Sequence, residues 1–201
     1  MALIKLNNRA VKDVTEFGSI SSLGSLTHIS TATASASASI EFTSGIDSTY
    51  KEYVFYFNNI HPATDSADFQ FNMSTDSGSN YNVTKTTTFF RARHREDDAV
   101  TSLDYVTGND LAQSTSFQII INNAGNQNDE SSSGTMTLFN PSSTTFVKHF
   151  MTDINTYGQE DASYRRFVAG YGNTTSAIDA VKFQMSSGNI DSGEILLFGV
   201  S

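Results

Sequence analysis

The run Tyr53-Val54-Phe55-Tyr56-Phe57-Asn58 constrains the fold more than any other part of the chain. Successive side chains of an extended strand point to opposite faces, so Tyr53, Phe55 and Phe57 share one side, and Val54, Tyr56 and Asn58 the other. This reads as a central strand ending at Asn59-Ile60-His61-Pro62. Ala67 to Ser74 alternates in the same way and aligns Phe69, Phe71 and Met73. With a polar loop between them, the two runs are expected to pair antiparallel.

Further strands are predicted over Lys85 to Arg95, Thr115 to Asn122, Gly134 to Asn140, Thr145 to Thr152, Arg166 to Tyr171, Ala180 to Met185 and Glu194 to Val200, about ten in all. Gly/Asn/Ser/Asp loops separate them, at the spacing of an antiparallel sandwich and not of βαβ units. Asp97 to Leu111 is the one place where a helical turn is read. Ala32 to Phe42 alternates small apolar and small polar residues, the period of a strand with one buried face; an Ala/Ser spacer is the other reading. Serine and threonine supply about a quarter of the chain, Phe (15) and Tyr (8) are plentiful, and leucine is scarce. Threonine and aromatics fit a pleated, half-buried surface.

These readings give an all-β fold: an antiparallel, jelly-roll-like β-sandwich over residues 31–201, preceded by an N-terminal arm over residues 1–30 that serves assembly. Two hundred and one residues commonly make one domain with a core of its own. The chain has no cysteine for disulfides or thiolate metal sites. Its start lacks a basic region followed by a long apolar run, so no secretory signal is read there, and no stretch approaches the roughly 20 apolar residues of a membrane span. A net charge of −9, with pI ≈ 4.7, opposes a nucleic-acid partner because phosphates repel an acidic surface.

Tyr53 to Pro62, followed by Ser74-Thr75-Asp76-Ser77-Gly78-Ser79-Asn80-Tyr81, resembles a family of small structural proteins of tailed bacteriophages, notably those of marine bacteria. The ending Ser187-Gly188-Asn189-Ile190-Asp191-Ser192-Gly193-Glu194-Ile195-Leu196-Leu197-Phe198-Gly199-Val200 is similar to the terminus of virion and tail-associated β-domains, where a polar turn precedes the strand that closes the sandwich. The resemblance spans roughly residues 40 to 200, and its motifs mark turns and strands without naming a reaction. It implies a virion component: a tail fibre, tail-tip or capsid-surface subunit. Such a subunit would assemble with itself as a trimer or larger ring and dock to other virion proteins through its arm.

Catalytic and metal patterns are weak. His28, His61, His94 and His149 lack partners at metal-ligand spacing. No Gly-x-Ser-x-Gly elbow occurs. Glu41, Asp68 and Glu160-Asp161 could pair as glycosidase carboxylates only through space. Loops Asp76 to Asn80 and Asn122 to Glu130 could offer oxygen ligands to calcium, although turn chemistry explains their composition equally well. No enzyme, cofactor, metal or membrane role is expected.

The most distinctive charge feature is Arg91-Ala92-Arg93-His94-Arg95, followed by Glu96-Asp97-Asp98. On a strand, Arg91, Arg93 and Arg95 share one face. They are candidates for a subunit or ligand contact with carboxylates or phosphates, since a guanidinium binds these bidentately; a solvated face neutralised by the adjacent acids is the other reading. Tyr157, Tyr164 and Tyr171 could stack on sugar or belong to the core and rim. The alternative function is a host-recognition module that binds bacterial surface glycan through loops at one end of the sandwich.

Overall fold

The computed structural model describes residues 26–158 and 160–201. Expectations for the arm up to residue 25 fall outside these residues. Leu26 to Ser30, which the arm reading included, belong to the first strand. Among the described residues, twelve strands run as β1 (Leu26–Thr33), β2 (Ser39–Phe42), β3 (Glu52–Pro62), β4 (Ala67–Ser74), β5 (Lys85–Arg95), β6 (Thr101–Tyr105), β7 (Gln118–Ala124), β8 (Ser131–Phe139), β9 (Lys148–Gly158), β10 (Ala162–Gly172), β11 (Ala180–Met185) and β12 (Ile190–Val200). They form an antiparallel sandwich. One sheet has eight strands in the order β1-β12-β3-β8-β9-β10-β5-β6, the other four in the order β2-β11-β4-β7. This eight-plus-four division does not reproduce a jelly roll of two four-stranded sheets.

The core is the aromatic alternation seen in the sequence. Tyr53, Phe55 and Phe57 point inward from the large sheet; Phe69, Phe71 and Met73 point inward from the small one, and all six are buried. Phe183 on β11 lies between them, its ring centroid 5.3 Å from both Phe55 and Phe57 and stacked on Phe69 at 5.8 Å.

Three expectations are corrected. β3 and β4 do not pair: β3 lies between β12 and β8, whereas β4 lies between β11 and β7. The loop between them carries the chain across the core, so Phe57 and Phe69 meet edge to face at 5.7 Å instead of lying side by side in one sheet. The Ala/Ser stretch is also not one strand. Ala36 takes a left-handed φ of 50°, and the chain passes there from β1 of the large sheet to β2 of the small one. In place of a helical turn, Asp97 to Leu111 contains β6, which forms a hairpin with β5 around Asp98 at φ 58°.

Four strands cannot cover eight. The edge strand β7 packs over β8, β9 and β10, and beyond it the inner face of the large sheet continues onto β5 and β6. The first half of β5 is closed by the segment that follows β6: Thr87 donates to Gln118 Oε1 (2.6 Å) and accepts from the Leu111 amide (2.8 Å). The second half, from Arg91 to Arg95, reaches past that cover.

Candidate functional site

One cross-strand row on the inner face shows how the site arises. It runs from Ile195 through Phe57, Gly134 and Ile154 to Arg166, Arg91 and Asp104. The row is apolar where the small sheet covers it and becomes charged where β7 ends. Because the side-chain period of a strand is two, Phe89 in the core and Arg91 at its border share a face. Arg93 and Arg95 follow on that face, opposite Tyr164 and Ala162 of β10. The three arginines singled out from the sequence are thus aligned, but they face inward at the uncovered rim and not out into solvent.

Each has a different environment. Arg95 Nη2 lies 3.0 Å from Asp97 of its own hairpin. Arg93 Nη1 lies 2.7 Å from Glu160 Oε2, which also accepts from the Tyr164 hydroxyl at 3.0 Å. Arg91 makes one long approach to an acid among the described residues, Nε to Asp104 Oδ2 at 3.9 Å, and lies 5.8 Å from the centre of the Tyr164 ring.

The central residue is Arg166, one of two arginines in the Arg165-Arg166 pair. It is 1% exposed. Its Nε donates to Asn122 Oδ1 (2.8 Å) and its Nη2 to the Asn122 carbonyl (2.7 Å), and its guanidinium lies 4.7 Å from the centre of the Tyr164 ring. Its hydrogen-bond acceptors are thus neutral, and Nη1 has none among the described residues. Burial, with the like charge of Arg91, pushes the guanidinium down to about 9, so it stays a cation at neutral pH. The signal for Arg166 was available as the alternation Tyr164, Arg166, Val168, in which an arginine takes an inward position. The strand was expected to begin only at Arg166, which hid that phase.

Between these residues is a cavity of about 50 Å³ lined by Arg91, Asn123, Glu160, Tyr164 and Arg166. Arg166 and Tyr164 form its buried side; Asn123 and Glu160 are exposed and form its mouth.

The other sequence candidates lie apart. Glu41 sits on β2, at the far edge of the small sheet from β7, paired with Lys182 at 3.0 Å. Asp68 accepts from the Asn123 amide at 2.9 Å, and Asp161 from the Tyr157 hydroxyl at 3.1 Å. Tyr157, Tyr164 and Tyr171 do not form one stacking surface: Tyr164 points inward, whereas the other two lie on the opposite face of β9 and β10. The carboxylate of Asp76 is occupied within its own turn by the Asn80 amide (2.8 Å), the Asn80 side chain (2.8 Å) and Ser74 (2.7 Å). Glu130 Oε2 caps the Gln127 amide at 2.8 Å. Among the described residues, no group of three or more His, Asp or Glu side chains is placed to hold a metal. No family model matches the chain, and neither a curated protein nor a solved structure matches it.

Proposed function

We propose that the chain is a structural subunit of a tailed-bacteriophage virion that assembles with copies of itself through the outer face of its large sheet. One observation carries the self-assembly: this face presents two neighbouring cross-strand rows that are largely apolar. One row is Tyr56, Thr135, Asp153, Phe167, Phe90 and Tyr105; the other is Phe198, Val54, Thr137, Met151, Ala169 and Thr88. Met151 is 57% exposed and Phe90 40%. Asp153 is the one charged side chain of the two rows, and Arg165 neutralises it through two hydrogen bonds of 2.9 and 2.6 Å. Two copies of a chain of net charge −9 can therefore meet on this strip without like charges facing each other. The virion itself rests on the family resemblance.

The adhesion reading is second. A polar concavity near one end of the sandwich, lined by Asn59, His61, Asp129 and Asp191 among others, offers hydrogen-bonding groups to a glycan but no aromatic platform. The exposed aromatics Phe90 and Tyr105 lie on the sheet face instead.

Light scattering on the purified chain tests the assembly. A mass that is a multiple of 21.9 kDa, reduced to one copy by Met151→Asp with Phe90→Asp, is the expected result. A wild-type monomer, or an oligomer indifferent to both substitutions, overturns assembly through this face.

A further inference from the structure

The geometry points to a binding site for a single carboxylate group in the cavity between β5, β7 and β10, with Arg166 as its buried anchor and Arg91 as its second arm. This inference does not depend on the assembly reading.

Three observations converge on it. The first is an unspent donor on a buried cation: Nη1 of Arg166 has no acceptor among the described residues, and the Nε of Arg91, the other arginine lining the cavity, has none either. Buried polar groups are nearly always hydrogen-bonded, so a convergence of unmatched guanidinium N–H groups is a site for an acceptor. The second is charge. Arg166 and Arg91 are directly opposed on adjacent strands, and the charge of Arg91 weakens the hold of Arg166 on its proton. An anion between them relieves that repulsion. The nearby acids supply it only in part: Asp68 offsets some of the repulsion on Arg166 but is held by the Asn123 amide, Glu160 is engaged by Arg93 and Tyr164, and Asp104 keeps 3.9 Å from Arg91.

The third is size. About 50 Å³ exceeds the roughly 10–15 Å³ that one water needs. It admits a carboxylate group and leaves a sugar ring or peptide outside, at the mouth formed by Asn123 and Glu160. A carboxylate is acceptor-only and meets two guanidiniums at once, in the planar geometry they favour. The ligand class is therefore a carboxylate, either free or carried by an acidic sugar.

The test is titration of the full chain with sodium acetate and with sodium glucuronate against sodium chloride at matched ionic strength, followed by the arginine Nε–H resonances and by thermal unfolding. Saturable shifts of the Arg91 and Arg166 signals with both carboxylates but not chloride are expected. Glucuronate binding more tightly than acetate would assign the group to an acidic sugar; equal binding would assign it to a small free carboxylate. Arg91→Gln should weaken binding about tenfold or more while the protein stays folded. Arg95→Gln, which lies outside the cavity, should leave binding unchanged. A response that chloride reproduces, that survives Arg91→Gln, or that Arg95→Gln abolishes as fully would overturn the site and leave a water-filled cavity.

Discussion

Arg166 of β10 and Asn122 of β7 are tied across the gap between the two sheets by a pair of hydrogen bonds, 2.8 Å to the side-chain oxygen and 2.7 Å to the main-chain oxygen. The tie closes the border of the core, since Ile154, next to Arg166 in its row, is fully buried. Arg166→Ala would remove the tie, leave Asn122 unmatched and open a void. Urea unfolding should show a loss of about 2–4 kcal/mol. In a double-mutant cycle with Asn122→Ala, the two losses should fall short of additivity by about 1 kcal/mol or more.

Phe183 touches the rings of both sheets, so its truncation cannot be absorbed by one neighbour. Phe183→Ala should cost about 3–5 kcal/mol and Phe183→Leu clearly less, because leucine refills most of the volume. Equal losses for the two would show that the site collapses freely around either side chain.

Lys85 makes stability depend on pH. It is wholly buried and donates to Asn72 Oδ1 (2.6 Å) and the Val83 carbonyl (2.7 Å). Two acceptors match the two hydrogens of a neutral amine, and burial brings the group down to about 7. In the unfolded chain it titrates near 10.4. Between pH 7 and 10 the unfolded state therefore holds more protons, and stability rises with pH by up to about 1.4 kcal/mol per unit for this one group. Above pH 10 two groups act in opposite directions: Tyr157, raised to about 12, keeps its proton in the folded state after the unfolded chain has lost it, whereas Arg166, pushed down to about 9, adds to the rise as Lys85 does. Urea midpoints from pH 6 to 9.5 should climb in the wild type and flatten in Lys85→Met.

Gly193 stands at a shift of register between β12 and β3, with φ at +113°. A Cβ there would meet the Asn59 carbonyl at 2.6 Å and the Ile60 Cα at 2.9 Å. Gly193→Ala should cost about 1–3 kcal/mol through backbone strain. Calorimetry would read this as a lower melting temperature, and a neutral result would mean that the bulge rearranges.

The strands were legible because each buried face repeats with period two, and β5 and β11 were bounded correctly on that basis. Which sheet a strand joins was not. Phe55 and Phe69 carry the same inward signal whether they are neighbours in one sheet or opposed across the core, and only the passage through Ala63 to Ser66 distinguishes the two. The charged β5 face was visible as Arg91, Arg93 and Arg95, whereas the position of Arg166 followed from a pairing between distant segments. Ala36 hid a passage between the sheets and Asp98 a hairpin, because neither alanine nor a run of acids marks a left-handed backbone as glycine does.

The unequal sheets give β5 two mechanical characters along a single strand. Its first half, from Lys85 to Phe89, is clamped between β10 and the segment around Leu111 and Gln118. Its second half, with β6, is held along one side only and projects like a cantilever. Peeling can therefore begin at the Glu96 to Val100 tip and stop at Phe89 without disturbing the core. Amide protons of β5 should exchange with solvent along a gradient, fastest at Arg95 and slowest near Thr87, within eleven residues of continuous strand.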